Sequence, residues 1–159
     1  MQKQSLTLNL FIKGLSKKLG LKFSDFDEEF GPKTTNVTMF DKKKRVKSKR
    51  FNQSKVVRSF SYQCNEYILQ FLELTENEIE LYWIEVKCKR CKGYGTELMN
   101  KILNVCDDLN IKLKAIPCDF DNPNCESNLL LRLREWYRSF GFKKKSYLDD
   151  VALYYFPNS

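Results

Sequence analysis

The strongest restriction on the fold of this chain is a change of hydrophobic period at Gly95. Before it, residues 56–62, 67–74 and 78–86 form three runs rich in β-branched and aromatic side chains, the last two divided by the turn Thr75-Glu76-Asn77. Such runs suit the half-buried face of a meander of neighbouring strands. After it, Leu98, Met99, Ile102, Leu103, Cys106 and Leu109 fall on one face of a helix with a period of about 3.6. A chain that passes from adjoining strands to an amphipathic helix buries both apolar faces by laying helix on sheet.

The remaining pattern extends this plan. Residues 111–116 predict a short strand, residues 119–127 a loop around Asn122-Pro123, and a second amphipathic helix begins near Asn128. Leu129, Leu133, Trp136, Tyr137 and Phe140 mark its buried stripe, and Gly141 is placed to end it in the left-handed conformation. Residues 151–156 predict a closing strand before Pro157. At the start, Leu6, Leu8, Leu10 and Ile12 alternate strictly and predict a first strand, followed by a helical stretch within residues 13–30 that Gly31-Pro32 breaks. Residues 37–40 read as a short strand. The expectation is one domain over residues 1–159 of mixed α/β (α+β) class: a mostly antiparallel central sheet of about six to seven strands flanked by helices.

Charge is concentrated rather than spread. The chain carries 28 Lys and Arg against 20 Asp and Glu, a formal charge of +8. Nine of the basic residues and one acid lie within residues 41–58, so the rest of the chain is formally neutral. That segment (Lys42, Lys43, Lys44, Arg45, Lys47, Lys49, Arg50, Lys55, Arg58) has too few apolar residues for a core and reads as a loop or strand-edge extension. It suits an acidic protein or nucleic acid as partner. Aromatic residues for base stacking are sparse within it, which argues against single-strand recognition.

No histidine is present. Ser-His-Asp and Cys-His catalysis, histidine-ligated zinc and histidine-ligated haem are thereby excluded. Six cysteines occur without a secretory leader pattern, so free thiols, a cytoplasmic location and no metal are expected, with nuclear import through residues 42–50 as the variant for a eukaryotic or viral source. Cys88, Cys91, Cys118 and Cys125 make a weaker zinc pattern, because the second pair is spaced by six residues where a zinc site uses about two to four. No apolar run approaches the roughly 20 residues of a membrane span, and a monomer or homodimer is expected.

Between the strand ending at Val86 and the following helix lies Lys87-Cys88-Lys89-Arg90-Cys91-Lys92-Gly93-Tyr94-Gly95. Glycines at a helix start bring free amide groups and the positive end of the dipole close to an anion. A dinucleotide fingerprint needs a third glycine where Leu98 stands, and a Walker loop needs a lysine where Thr96 stands.

Arg90-x-x-Gly93-x-Gly95 after a strand resembles the Q/R-x-x-G-x-G/A signature of the GNAT superfamily of N-acetyltransferases, and Trp136 to Phe142 resembles that family's F-Y-x-x-x-G-F segment. The similarity covers about residues 78–156, and Gly93-Tyr94-Gly95 followed by Leu98-Met99-Asn100 is nearest the histone- and protein-acetylating branch. The stretch between Val86 and Gly93 is one residue shorter than in many bacterial members. The resemblance implies the GNAT fold, acetyl-CoA as co-substrate, and acetyl transfer by direct attack of a primary amine in a ternary complex. The resemblance leaves the acceptor open: a protein lysine or N-terminus fits the branch, and a small amine such as a polyamine or aminosugar fits the fold equally well.

Residue by residue, it implies that Arg90, Cys91, Lys92, Gly93, Tyr94, Gly95 and Thr96 bind the pyrophosphate. Ile84, Glu85 and Val86 offer backbone groups to the pantetheine arm and acetyl carbonyl. Tyr137 protonates the departing thiolate. Glu80, or failing it Glu85, takes the amine proton. Strand alternation predicts that the two glutamates point to opposite faces of the sheet. The other function class that fits is a non-catalytic module of the same fold, binding nucleic acid or an acidic protein through residues 41–58.

Overall fold

A computed structural model describes residues 6–32, 56–87, 93–117, 128–145 and 151–157. It begins with helix α1 (Leu6–Leu19), a single 3₁₀ turn (Phe23–Asp25) and strand β1 (Asp27–Pro32). The meander follows as β2 (Val56–Gln63), β3 (Tyr67–Thr75) and β4 (Glu78–Val86). Helix α2 (Tyr94–Leu109), strand β5 (Lys112–Ala115), helix α3 (Asn128–Ser139) and strand β6 (Leu153–Tyr155) complete the order. The six strands of the described residues form one sheet in sequence order, antiparallel except for the β4·β5 pair. This is the mixed, mostly antiparallel sheet with flanking helices that the sequence predicts. The parallel step arises because α2 carries the chain back across the sheet before β5 begins.

The first strand is a helix instead. Leu8, Phe11, Ile12 and Leu15 are buried, whereas Leu6 and Leu10 are 69% and 43% exposed. Over seven residues the apolar pattern satisfies a period of two. Extended to Leu15 it satisfies i, i+3, i+4, i+7, and the longer register wins because it gives one continuous face to bury. The helical stretch expected up to residue 30 stops at Leu19. Asp27–Pro32 joins the sheet edge as β1, with Pro32 at the strand's end where an absent N–H costs least.

One face of the sheet carries Phe60, Tyr67, Leu69, Phe71, Ile79, Leu81, Leu113 and Tyr155, and with α1 and α2 it makes the core. Phe11 of α1 meets Phe71 edge-on, with ring centroids 4.9 Å apart. Arg58 also points to this face. It is 8% exposed, donating Nε to Glu28 Oε1 and an Nη to Asn9 Oδ1, each at 2.5 Å. Arg58 therefore ties β2 to β1 and α1 and does not belong to a solvated basic surface. Residues 41–55, which hold the other members of the basic segment, and the expected strand at 37–40 lie outside the described residues.

Candidate active site

The site is shaped by a fault in β4. Leu81 pairs with Phe71 and Trp83 with Gln70, so Tyr82 is the additional residue of a β-bulge. The parallel ladder to β5 ends at the pair Leu81↔Ala115, one residue before the bulge, while the antiparallel ladder to β3 continues to Val86. Among the described residues, Ile84 to Val86 thus run on beyond the β5 ladder, and the paired sheet divides before them. Strand backbone released from a ladder has polar groups to offer a ligand.

The bulge also overturns the expectation for the two glutamates. Glu80 pairs with Leu72 and Glu85 with Ile68, and these partners lie four residues apart on the regular strand β3. Glu80 and Glu85 therefore share one face of the sheet, because the additional residue cancels the odd spacing between them. Their surroundings differ. Glu80 is 2% exposed, between Leu72 and Lys114 in register, and Glu85 is exposed near the strand end. Ile84 and Val86 pair with Leu69 and Tyr67 and so point to the opposite, core-facing side.

Beyond β4, helix α2 starts at Tyr94 rather than after Gly95. Gly93 is its N-cap, with φ of +91° in the left-handed region, and the Glu97 N–H donates to the Gly93 carbonyl at 2.9 Å to close the first turn. The amides of Tyr94, Gly95 and Thr96 precede that bond and have no partner within the helix. Gly95 lies in the first turn, facing β4 and α3. A Cβ built on it would stand 3.6 Å from Val86 Cγ2 and 3.6 Å from Trp136 Cζ2. Arg90, Cys91 and Lys92, assigned to the same loop, lie outside the described residues, as do Cys88, Cys118 and Cys125 of the zinc pattern. Among the described residues no three potential metal ligands cluster, and Cys64 and Cys106 are free thiols.

Trp136 brings α3 to the site. Its ring lies edge-on to Tyr137 at 5.2 Å and to Phe140 at 5.0 Å, and Tyr137 lies edge-on to Phe142 at 5.2 Å. Gly141 ends the helix with φ of +98°, as its position predicts. The stripe departs from expectation at one point: Leu129 is 50% exposed and Leu130 is buried in its place. Tyr137 is buried, which pushes its phenol well above the ordinary tyrosine range and keeps it protonated.

No protein-family model matches the chain, and no curated protein matches it. Two solved structures do. The crystal structure of the anti-CRISPR protein AcrVA5 is 19% identical, covers 61% of this chain and 97% of its own length, and has a TM-score of 0.46. The crystal structure of Ard1 from Thermoplasma volcanium is 16% identical, covers 65% of this chain and 71% of its own, and has a TM-score of 0.44. Neither likeness bears on the chemistry of the site.

Sequence reasoning missed one contributor. Tyr94 Oη donates at 2.8 Å to Oε2 of Glu66, a residue in the turn between β2 and β3 that matches no motif and lies 28 positions away. No local signal marks such a contact, because it exists only once the meander has folded. Among the described residues, no helix is long and apolar enough to cross a membrane.

Proposed function

We propose that the chain is an acetyl-CoA-dependent N-acetyltransferase acting on a primary amine. The observation that carries this reading is the meeting of Val86, Gly95 and Trp136. The end of the divided strand and the aromatic segment of α3 both come to Gly95, since Val86 Cγ2 and Trp136 Cζ2 would each stand 3.6 Å from a Cβ there, though 50 residues separate Val86 from Trp136. Each belongs to a different part of the family resemblance.

The residues fit an extended thioester carrying a pyrophosphate. The first-turn amides after Gly93 favour an anion, and Arg90, Cys91 and Lys92 belong to the same stretch of chain. The part of β4 beyond the β5 ladder, at Ile84, Glu85 and Val86, can align an amide-rich arm and polarise an acyl carbonyl through a backbone N–H. The bound co-substrate would supply the activated acyl group. Orienting the amine against it accounts for much of the rate in such reactions.

Tyr137, held protonated by burial, is suited to deliver a proton to a departing thiolate. Glu80 and Glu85, on one face, divide the work of a base by environment. Glu80 is the better placed to act on a desolvated amine, and Glu85 to relay the proton to solvent.

Thermal unfolding with acetyl-CoA, coenzyme A and duplex DNA or RNA tests this. At 100 times Kd, ligand binding adds about 2.7 kcal/mol to the stability of the folded state, so both coenzymes should raise Tm by several degrees. No shift with either coenzyme sinks the reading. Tyr137→Phe should keep the shift and lose turnover, and full turnover in that variant removes Tyr137 as the acid.

A further inference from the structure

Two hydrogen bonds reach Glu66 from opposite sides of residues 88–92. Its backbone carbonyl accepts the Lys87 N–H at 2.8 Å, and its carboxylate Oε2 accepts the Tyr94 hydroxyl at 2.8 Å. Lys87 is the last described residue after β4, and Tyr94 is the first of α2. One turn residue thus grips the chain on both sides of the glycine-containing stretch.

The grip is itself anchored. The Tyr94 ring packs on Tyr67 with centroids 6.0 Å apart, Tyr67 on Tyr62 at 5.6 Å, and Tyr62 on Phe26 at 5.5 Å. This aromatic row runs from Phe26, just before β1, across β2 and β3 to the first residue of α2. The Cys64 N–H closes the turn by donating to the Tyr67 carbonyl at 3.0 Å. Burial and then the bond to Glu66 push the Tyr94 phenol up to about 12, so it remains a donor throughout the neutral range.

A carboxylate beside an anion-binding turn works against its ligand electrostatically. Its presence there is explained if its role is mechanical. We infer that Glu66 is a positioning residue that sets the separation of Lys87 and Tyr94, and with it the aim of the first-turn amides of α2. This deepens the acetyltransferase reading and rests on it for its functional consequence.

The test compares Glu66→Ala, Glu66→Gln and Tyr94→Phe in the full chain. Glu66 is exposed, and Tyr94→Phe keeps the ring that packs on Tyr67, so all three variants should fold. Removing either partner of the bond should weaken coenzyme A binding and raise KM for acetyl-CoA by roughly two- to tenfold, with kcat nearly unchanged. The double variant Glu66→Ala/Tyr94→Phe should be no weaker than either single one. Glu66→Gln keeps an acceptor oxygen and should restore most of the affinity.

Hydrogen exchange at the Lys87 and Glu97 amides should quicken in Glu66→Ala and Tyr94→Phe, a readout that needs no coenzyme. Unchanged exchange at both amides overturns the proposal. So does a loss confined to kcat, or additive effects in the double variant. If the wild-type protein binds neither coenzyme, the acetyltransferase reading fails, and the exchange result still decides whether Glu66 holds the two segments together.

Discussion

Gly93 and Gly95 stand two residues apart in one motif, yet replacing each by alanine should move stability in opposite directions. Gly93 is the N-cap of α2 with φ of +91°, and nothing among the described residues lies within 4 Å of a Cβ built there. The penalty is therefore purely one of backbone conformation, about 1–2 kcal/mol for a residue with a Cβ in the left-handed region. For a chain of 159 residues, where each 1 kcal/mol moves Tm by roughly 2–4 °C, Gly93→Ala should lower Tm by about 2–8 °C.

Gly95 has no left-handed backbone. Its added methyl would meet Val86 and Trp136 at 3.6 Å, an ordinary contact distance. Alanine also favours the helix over glycine by up to about 1 kcal/mol, less in a first turn than in a helix interior. Gly95→Ala should therefore leave Tm unchanged or raise it by about 1–2 °C. Because the methyl points into the seam between β4 and α3, coenzyme affinity should survive. Circular dichroism melts with parallel guanidinium titrations measure both variants. A Gly93→Ala protein as stable as wild type refutes the conformational argument. A Gly95→Ala protein that loses more than about 1 kcal/mol refutes the packing argument.

Two further outcomes follow from the core. Phe11→Ala removes a fully buried ring that meets Phe71 edge-on and should cost about 3–5 kcal/mol, read as a lowered guanidinium midpoint with the slope preserved; a loss under about 1 kcal/mol would mean that α1 does not pack on the sheet as described. Tyr137 has its phenol raised by burial, and Tyr155 stands at about 12 through burial and its bond to Asp107. Above about pH 10, where an ordinary tyrosine ionises, the unfolded chain releases protons that the folded one retains. Stability should hold up to about pH 9 and then fall as pH rises, by up to about 1.4 kcal/mol per pH unit for each fully buried phenol. Tyr137→Phe should flatten that decline, and an identical decline in the variant contradicts the burial of Tyr137.

Much of this architecture is legible in the residues themselves. The β2–β4 meander, α2, β5, α3 and β6 are written in periodicities long enough to separate strand from helix, and Gly141 ends α3 where its position predicts. Leu6, Leu8, Leu10 and Ile12 alternate like a strand over a short window, whereas Leu8, Phe11, Ile12 and Leu15 make the helical face that is buried, and only the sheet decides which side chains find a core. Leu129 and Leu130 exchange roles for the same reason: adjacent leucines on a helix are equivalent until a neighbour chooses one.

The motifs at residues 90–95 and 136–142 belong to the sequence alone, as does the exclusion of histidine chemistry. Both follow from which side chains exist and how far apart they stand along the chain. Three things were decided only by the tertiary structure. The bulge at Tyr82 turns Glu80 and Glu85 to one face, because side-chain parity depends on pairing with β3 and not on counting along β4. Arg58 leaves the basic segment for an ion pair with Glu28, because β2 carries it inward. Glu66 reaches Tyr94, because a meander brings a turn beside a helix start that the chain meets 28 residues later. Local sequence fixes periods and chemical types, but contacts between distant residues exist only after the sheet has set its register.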